Sequence, residues 1–166
     1  MSNHHYIHIL LVEDSETDAY TVQRVLKNHM HSPYQLHHVE CVTDAEVLLK
    51  DGNHKDFNVI LLDLGLPDTK DEKETLHRIE KIREDIPIVI LTSVNDHDLA
   101  IELIGDGAED FVKKSTIANE PQIICNAIDF AIRRHSNLTT LKDSTSKKLK
   151  EQEQVIGWMS GDYSPH

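Results

Sequence analysis

Glu13 and Asp14, Asp63, Thr92 and Ser93, and Lys113 and Lys114 each stand at or just after the end of a short apolar run. Three carboxylates, hydroxyls and ammonium groups suit phosphoryl transfer to a carboxylate, where catalysis is largely positioning and neutralisation of charge. Mg²⁺ prefers hard oxygen ligands and keeps several waters, so Glu13, Asp14 and Asp63 can supply its protein ligands. Crowded without a cation, these carboxylates would repel one another and raise one another's proton affinity. A metal would keep Asp63 ionised and nucleophilic. A lysine of the 113–114 pair can pair with Asp63 and then with a phosphoryl oxygen, while the Thr92 hydroxyl can donate to that oxygen.

These groups come from distant parts of the chain, so the elements between them must bring them to one rim. Apolar runs at Ile7 to Val12, Gln35 to Val42, Phe57 to Leu62, Ile88 to Leu91 and Asp110 to Lys113 alternate with amphipathic segments. That alternation predicts an α/β fold, a parallel sheet covered by helices on both faces. IHILLV, FNVILL and IVIL are nearly all apolar, as expected for strands buried on both sides. In such sheets ligands gather beyond the carboxyl ends of the strands, where the reactive groups lie.

Helix signals separate the strands. Ser15 with Asp18 and Thr43 with Glu46 have capping-box spacing, and Ala19, Val22, Leu26 and Met30 form one apolar stripe. Gly52 is expected to stop the second helix and Pro87 to bar continuation of the third, striped by Leu76, Ile79 and Ile82. Leu99, Leu103 and Ile104 stripe a fourth ending at Gly105 and Gly107. Pro121 is expected to be the first residue of a fifth, with Ile124, Ala127, Ile128, Ala131 and Ile132 facing inward. From residue 136 the chain turns polar. Leu138 and Leu141 have a/d spacing, but Thr145 and Lys148 break the heptad, so no sustained coiled coil is expected. Val155, Ile156, Trp158 and Met159 form an apolar cluster that docks either on this domain or on a partner.

Composition narrows the function classes. A formal charge of −12 disfavours direct binding to nucleic acid or anionic lipid. No apolar run approaches the length of a membrane span, and the start lacks the marks of a secretory signal, so a cytoplasmic protein is expected. Cys41 and Cys125 read as buried thiols, and the 12 histidines lack metal-site spacing.

LLVED at 10–14, VILLDLGLPD at 59–68, IVILTS at 88–93 and GAEDFVKK at 107–114 follow one another in an order that closely resembles the receiver domain of two-component response regulators. The resemblance covers roughly residues 6–135, leaving 136–166 as a helical or flexible tail. It implies a flavodoxin-like five-stranded sheet of order 2-1-3-4-5. It makes Asp63 the phosphoacceptor, Glu13 and Asp14 the acidic pair for Mg²⁺, Thr92 the switch hydroxyl, and the carbonyl of Gly65 a further metal ligand. Phe111 matches the aromatic switch position, provided that Lys114 is the family's lysine. That choice sets GAEDF on the Gly-Ala-acid-acid-aromatic pattern and leaves Lys113 pointing away on the strand. Ser115 stands where the family has proline, so its cis peptide is not expected. Gly65 and Val94 offer no group to orient water, which predicts slow autodephosphorylation.

The function so implied is a single-domain response regulator, no enzyme beyond its own phosphorylation and dephosphorylation. Its phosphoryl donor is a sensor histidine kinase or histidine phosphotransfer protein, its reader an output protein, and homodimerisation is an option. The alternatives are a phosphorelay intermediate or an adaptor that needs no phosphorylation. A dehalogenase-type hydrolase would want a second aspartate where Gly65 stands, and the acidic loop EDSETD would repel a nucleotide phosphate.

Overall fold

Five strands, β1 (Ile7–Val12), β2 (Tyr34–Val39), β3 (Val59–Asp63), β4 (Ile88–Thr92) and β5 (Asp110–Lys113), alternate with α1 (Glu16–His29), α2 (Val42–Lys50), α3 (Glu72–Ile82) and α4 (His97–Gly105). The one-turn helix α5 (Lys114–Ile117) and the long α6 (Gln122–Met159) follow. The computed structural model describes residues 6–51, 57–82, 85–93 and 97–159. All strand pairs are parallel, in the order β2-β1-β3-β4-β5, as the sequence leads one to expect.

Alternation within the strands builds two apolar layers. Ile9 and Leu11 of β1, Val59 and Leu61 of β3 and Leu91 of β4 pack with Val22 and Leu26 of α1 and Ile124 and Ile128 of α6. Leu10 and Val12, Ile60 and Leu62, and Ile88 and Ile90 point the other way, against Ala45 of α2, Leu76 and Ile79 of α3 and Leu103 of α4. Neighbouring residues of one strand thus serve opposite layers, which explains the unbroken apolar runs. The sheet's register carries each reactive group to the same edge: Val12 lies opposite Val39 and Leu62, Asp63 opposite Leu91, and Thr92 opposite Lys113.

Several boundaries differ from expectation. Strand two stops at Val39, and Val42 already begins α2, because the chain turns at Cys41, which is the N-cap and only half-buried. Thr43 does not cap that helix. The Asp68 carboxylate does, accepting the amides of Val42 at 3.1 Å and Thr43 at 2.9 Å and the Thr43 hydroxyl at 2.8 Å. Glu46, the other half of the expected box, instead takes Arg78 Nε and Nη2 of α3 at 3.0 Å each. Ser15 does cap α1, accepting the amide of Asp18 at 3.3 Å. Ile104 is exposed rather than part of the α4 stripe. Helix α6 starts one residue after Pro121, whereas its continuation to Met159 is the helical alternative expected for the tail. Gly52 lies outside the described residues. Gly107 has φ +124°, a backbone conformation in which any residue with a Cβ is strained, so glycine is favoured there.

The chain divides into two units, Met1–Ile132 and Arg133–His166. No described peptide bond is cis.

The remote cap carries a prediction. Burial alone would raise the Asp68 carboxyl, but the hydrogen bonds from Thr43 and Val42 outweigh it and hold it below the ordinary aspartate value. A depressed folded-state pKa contributes stability above the unfolded value, and that contribution is lost as pH falls through the folded one. Asp68→Ala is therefore expected to cost about 1–2 kcal/mol at neutral pH. Urea denaturation should show the gap to wild type closing in acid; a gap independent of pH would contradict the assignment.

Candidate functional site

Glu13 is pinned before its carboxylate does anything. Its amide donates to the Val39 carbonyl at 3.0 Å, extending the β1–β2 ladder, and its own carbonyl accepts His38 Nε2 at 2.7 Å. Its Oε1 accepts the Ser15 amide at 3.0 Å, and the residue is fully buried. Asp63 ends β3 and is 7% exposed, whereas Asp14 is exposed. One oxygen from each of Glu13, Asp14 and Asp63 lies within 4.8 Å of the others.

Lys114, at the start of α5, reaches the Glu13 and Asp63 carboxylates. Its Nζ stands 2.6 Å from Glu13 Oε2, 3.0 Å from Asp18 Oδ2 and 3.1 Å from Asp63 Oδ1. Burial alone would lower this ammonium's pKa, but hydrogen bonds to Glu13 and Asp18 and the charge of Asp63 outweigh it and hold it above the usual lysine value. Glu13 is displaced upward, chiefly by burial and against the pull of Lys114. Three carboxylates thus share one ammonium, and negative charge remains uncompensated. The groups face a cavity of about 250 Å³, also lined by Asp14, Gly65, Glu72, Thr92 and Leu99.

The structure brings together Glu13, Asp14, Asp63, Gly65, Thr92 and Lys114. Lys113 is exposed and ends β5, while Lys114 begins α5 and reaches the carboxylates. Strand alternation alone does not separate them; the turn into α5 does. Phe111 is half-buried, packs against the α2–α4 layer and lines a surface groove with Ile123 and Phe130, away from the carboxylates. Val94 lies outside the described residues.

Two acidic residues outside the site expected from sequence take part in it. Asp18 contacts Lys114 and Glu72 lines the cavity. Capping spacing explained Asp18 locally, and nothing in sequence marks its contact 96 residues away. Asp18→Asn leaves Lys114 two carboxylates, and Asp18 is the most exposed of the three partners. The variant is expected to change stability by no more than about 1 kcal/mol, measured by urea denaturation. A larger loss would make Asp18, rather than Glu13, the main anchor of the lysine.

The donor set fits a small divalent cation. Glu13, Asp14 and Asp63 offer only hard oxygens, they leave charge for a cation to neutralise, and the cavity has room for retained waters. Gly65 could contribute its carbonyl from the cavity wall.

Comparison with known proteins agrees with this geometry. The family model described as response regulator receiver domain matches residues 9–128. A two-component response regulator of rice, Oryza sativa subsp. japonica (ORR6), is 30% identical over 124 residues, 74% of this chain and 71% of the relative. Other matched regulators are longer, the chain spanning 19% of one and 56% of another. Among solved structures, the Mn(2+)-bound response regulator Rcp1 superposes with a TM-score of 0.57 at 33% identity, covering 64% of this chain and 80% of that one. The phosphorylated cyanobacterial phytochrome response regulator RcpA superposes with a TM-score of 0.64 at 27% identity, covering 76% and 94%. No described helix is long and apolar enough to cross a membrane. With motif order, sheet order and acidic rim in agreement, the chain belongs to the response regulator receiver domain family of two-component signalling.

Proposed function

We propose that Asp63 is the phosphoacceptor of a receiver spanning residues 6–135 and that its phosphorylated form is read by a partner protein. The observation that carries this reading is the Lys114 ammonium 3.1 Å from Asp63 Oδ1, within a cluster of carboxylates able to hold a metal. Mg²⁺ held by Glu13, Asp14, Asp63 and the Gly65 carbonyl would neutralise charge on the incoming phosphoryl oxygens. An Asp63 oxygen attacks the phosphorus of a phosphohistidine on a sensor kinase or phosphotransfer protein. The P–N bond breaks as the P–O bond forms, and the leaving imidazole takes its proton from solvent. Lys114 then follows the negative charge from the Asp63 carboxylate to a phosphoryl oxygen, and Thr92 turns its hydroxyl toward the same group. Phe111 couples that movement to the β5 surface. With no side chain at Gly65 to orient water, the acyl phosphate is expected to outlast seconds.

That a relative was solved with Mn(2+) and another phosphorylated supports the assignment of metal and acceptor. The unpaired thiols of Cys41 and Cys125 suit the cytoplasm, where ATP charges histidine kinases. The test is intact-mass analysis after incubation with acetyl phosphate, with Mg²⁺ or with chelator. One metal-dependent, hydroxylamine-labile phosphoryl group mapping to Asp63 is expected. No gain by folded protein would favour an adaptor that uses the fold without phosphorylation.

A further inference from the structure

Helix α6 runs without interruption to Met159, although the heptad is broken on paper at Thr145 and Lys148. The break is one of phase. At 100° per residue, positions 138, 141, 145, 149, 152, 156 and 159 fall within an arc of about 80°. Their spacing alternates three and four except for one additional four-residue step between Leu141 and Leu149. Such a step locally unwinds a coiled coil without ending it. The resulting stripe carries Leu138, Leu141, Leu149, Ile156 and Met159, each more than half exposed. From Arg133 to Met159 no residue is buried, over a helix roughly 40 Å long. An isolated helix gains little from propensity alone and is ordinarily held by packing its apolar face.

We infer that this stripe packs in parallel against the same stripe of a second copy of the chain. Self-pairing sets every apolar position against its own mate and does the same for Thr145 and for Gln152, so each polar residue meets a polar one, which fixes the register. The flanking charges favour the same arrangement. With Leu149 and Ile156 at a positions and Gln152 and Met159 at d, Lys148 falls at g and Glu153 at the following e. A parallel pair therefore sets Lys148 of each helix beside Glu153 of the other, twice. An antiparallel pair aligning Leu141 with Ile156 would instead bring Lys148 against its own mate. The association needs no phosphoryl group and stands apart from the role of Asp63.

Sedimentation velocity of the full, unphosphorylated chain tests it. A species of twice the 19.0 kDa chain mass is expected at micromolar concentration. The double variant Leu149→Lys and Ile156→Lys keeps good helix formers and should sediment as one chain, with thermal unfolding of the receiver unchanged. Lys148→Glu should raise the dissociation constant by roughly threefold to thirtyfold, and adding Glu153→Lys should restore it. Wild type at single-chain or three-chain mass, a dimer indifferent to Leu149 and Ile156, or a charge exchange that fails to restore affinity would each overturn the inference.

Discussion

Asp63→Asn is expected to reduce phosphoryl uptake from acetyl phosphate and Mg²⁺ to the level of the metal-free control, without loss of the fold. Asparagine matches aspartate in shape and keeps an oxygen for Lys114, but its amide cannot form an acyl phosphate. The stability change has the opposite sign to most substitutions at a buried position. Glu13, Asp18 and Asp63 share one ammonium, and the Glu13 and Asp63 carboxylates approach within 4.8 Å. At an effective dielectric of about 20, a like-charge pair some 4–5 Å apart repels by about 3–4 kcal/mol before solvent relaxation. Removing one charge should more than compensate for the weaker bond to Lys114, so metal-free Asp63→Asn is expected to be more stable than wild type by about 1–2 kcal/mol. Mg²⁺ should raise the wild-type melting temperature and leave the variant nearly unmoved, since the ion loses a ligand and the charge it relieved. Urea and thermal unfolding with and without Mg²⁺ measure both. A variant that takes up the same phosphoryl group, or that loses stability in chelator, would sink the assignment of Asp63.

Whatever short-range periodicity encodes could be read ahead of the structure. Strands β1 and β5 begin and end where apolar pattern and flanking polar groups place them, and Asp63 and Thr92 fall at strand ends by the same token. Partners contributed from a distance were hidden. The cap of α2 is Asp68, some 25 residues from Thr43, so a local capping box was read where a remote one exists. Asp18 satisfied a local rule at the start of α1, which concealed its bond to Lys114. The tail was legible only as helical or flexible, because a strict seven-residue template passes over a stripe that one helix carries through a single four-residue step. Cys41 was placed inside a strand because apolar runs do not show where a chain turns.

Lys114→Met is the substitution with the largest expected cost in stability. The methionine preserves the apolar stem and roughly the volume but removes what is, among the described residues, the only ammonium within reach of Glu13, a carboxylate fully removed from solvent. Among the described residues its remaining partner is the Ser15 amide at Oε1, which leaves Oε2 with neither a donor nor a countercharge. Breaking a buried pair from one side typically costs 3–5 kcal/mol, because the surviving charge must be carried unpaired or take up a proton. Glu13 is already displaced upward by burial, so proton uptake is the easier route, and metal-free Lys114→Met should regain stability as the solution is acidified toward the displaced Glu13 value. The sign follows from linkage: a carboxyl whose folded-state pKa lies above its unfolded value penalises folding at neutral pH, and the penalty fades as it protonates. Adding Glu13→Gln should recover most of the loss at neutral pH and abolish that acid recovery. A double-mutant cycle by urea denaturation therefore separates the buried charge from lost packing, since packing would be lost equally with either residue at position 13. Equal losses in both backgrounds would show that the cost does not come from the charge left on Glu13. Phosphoryl uptake should fall in Lys114→Met and stay low in the double variant, because restoring stability does not restore a cation that follows charge from Asp63 to the phosphoryl group.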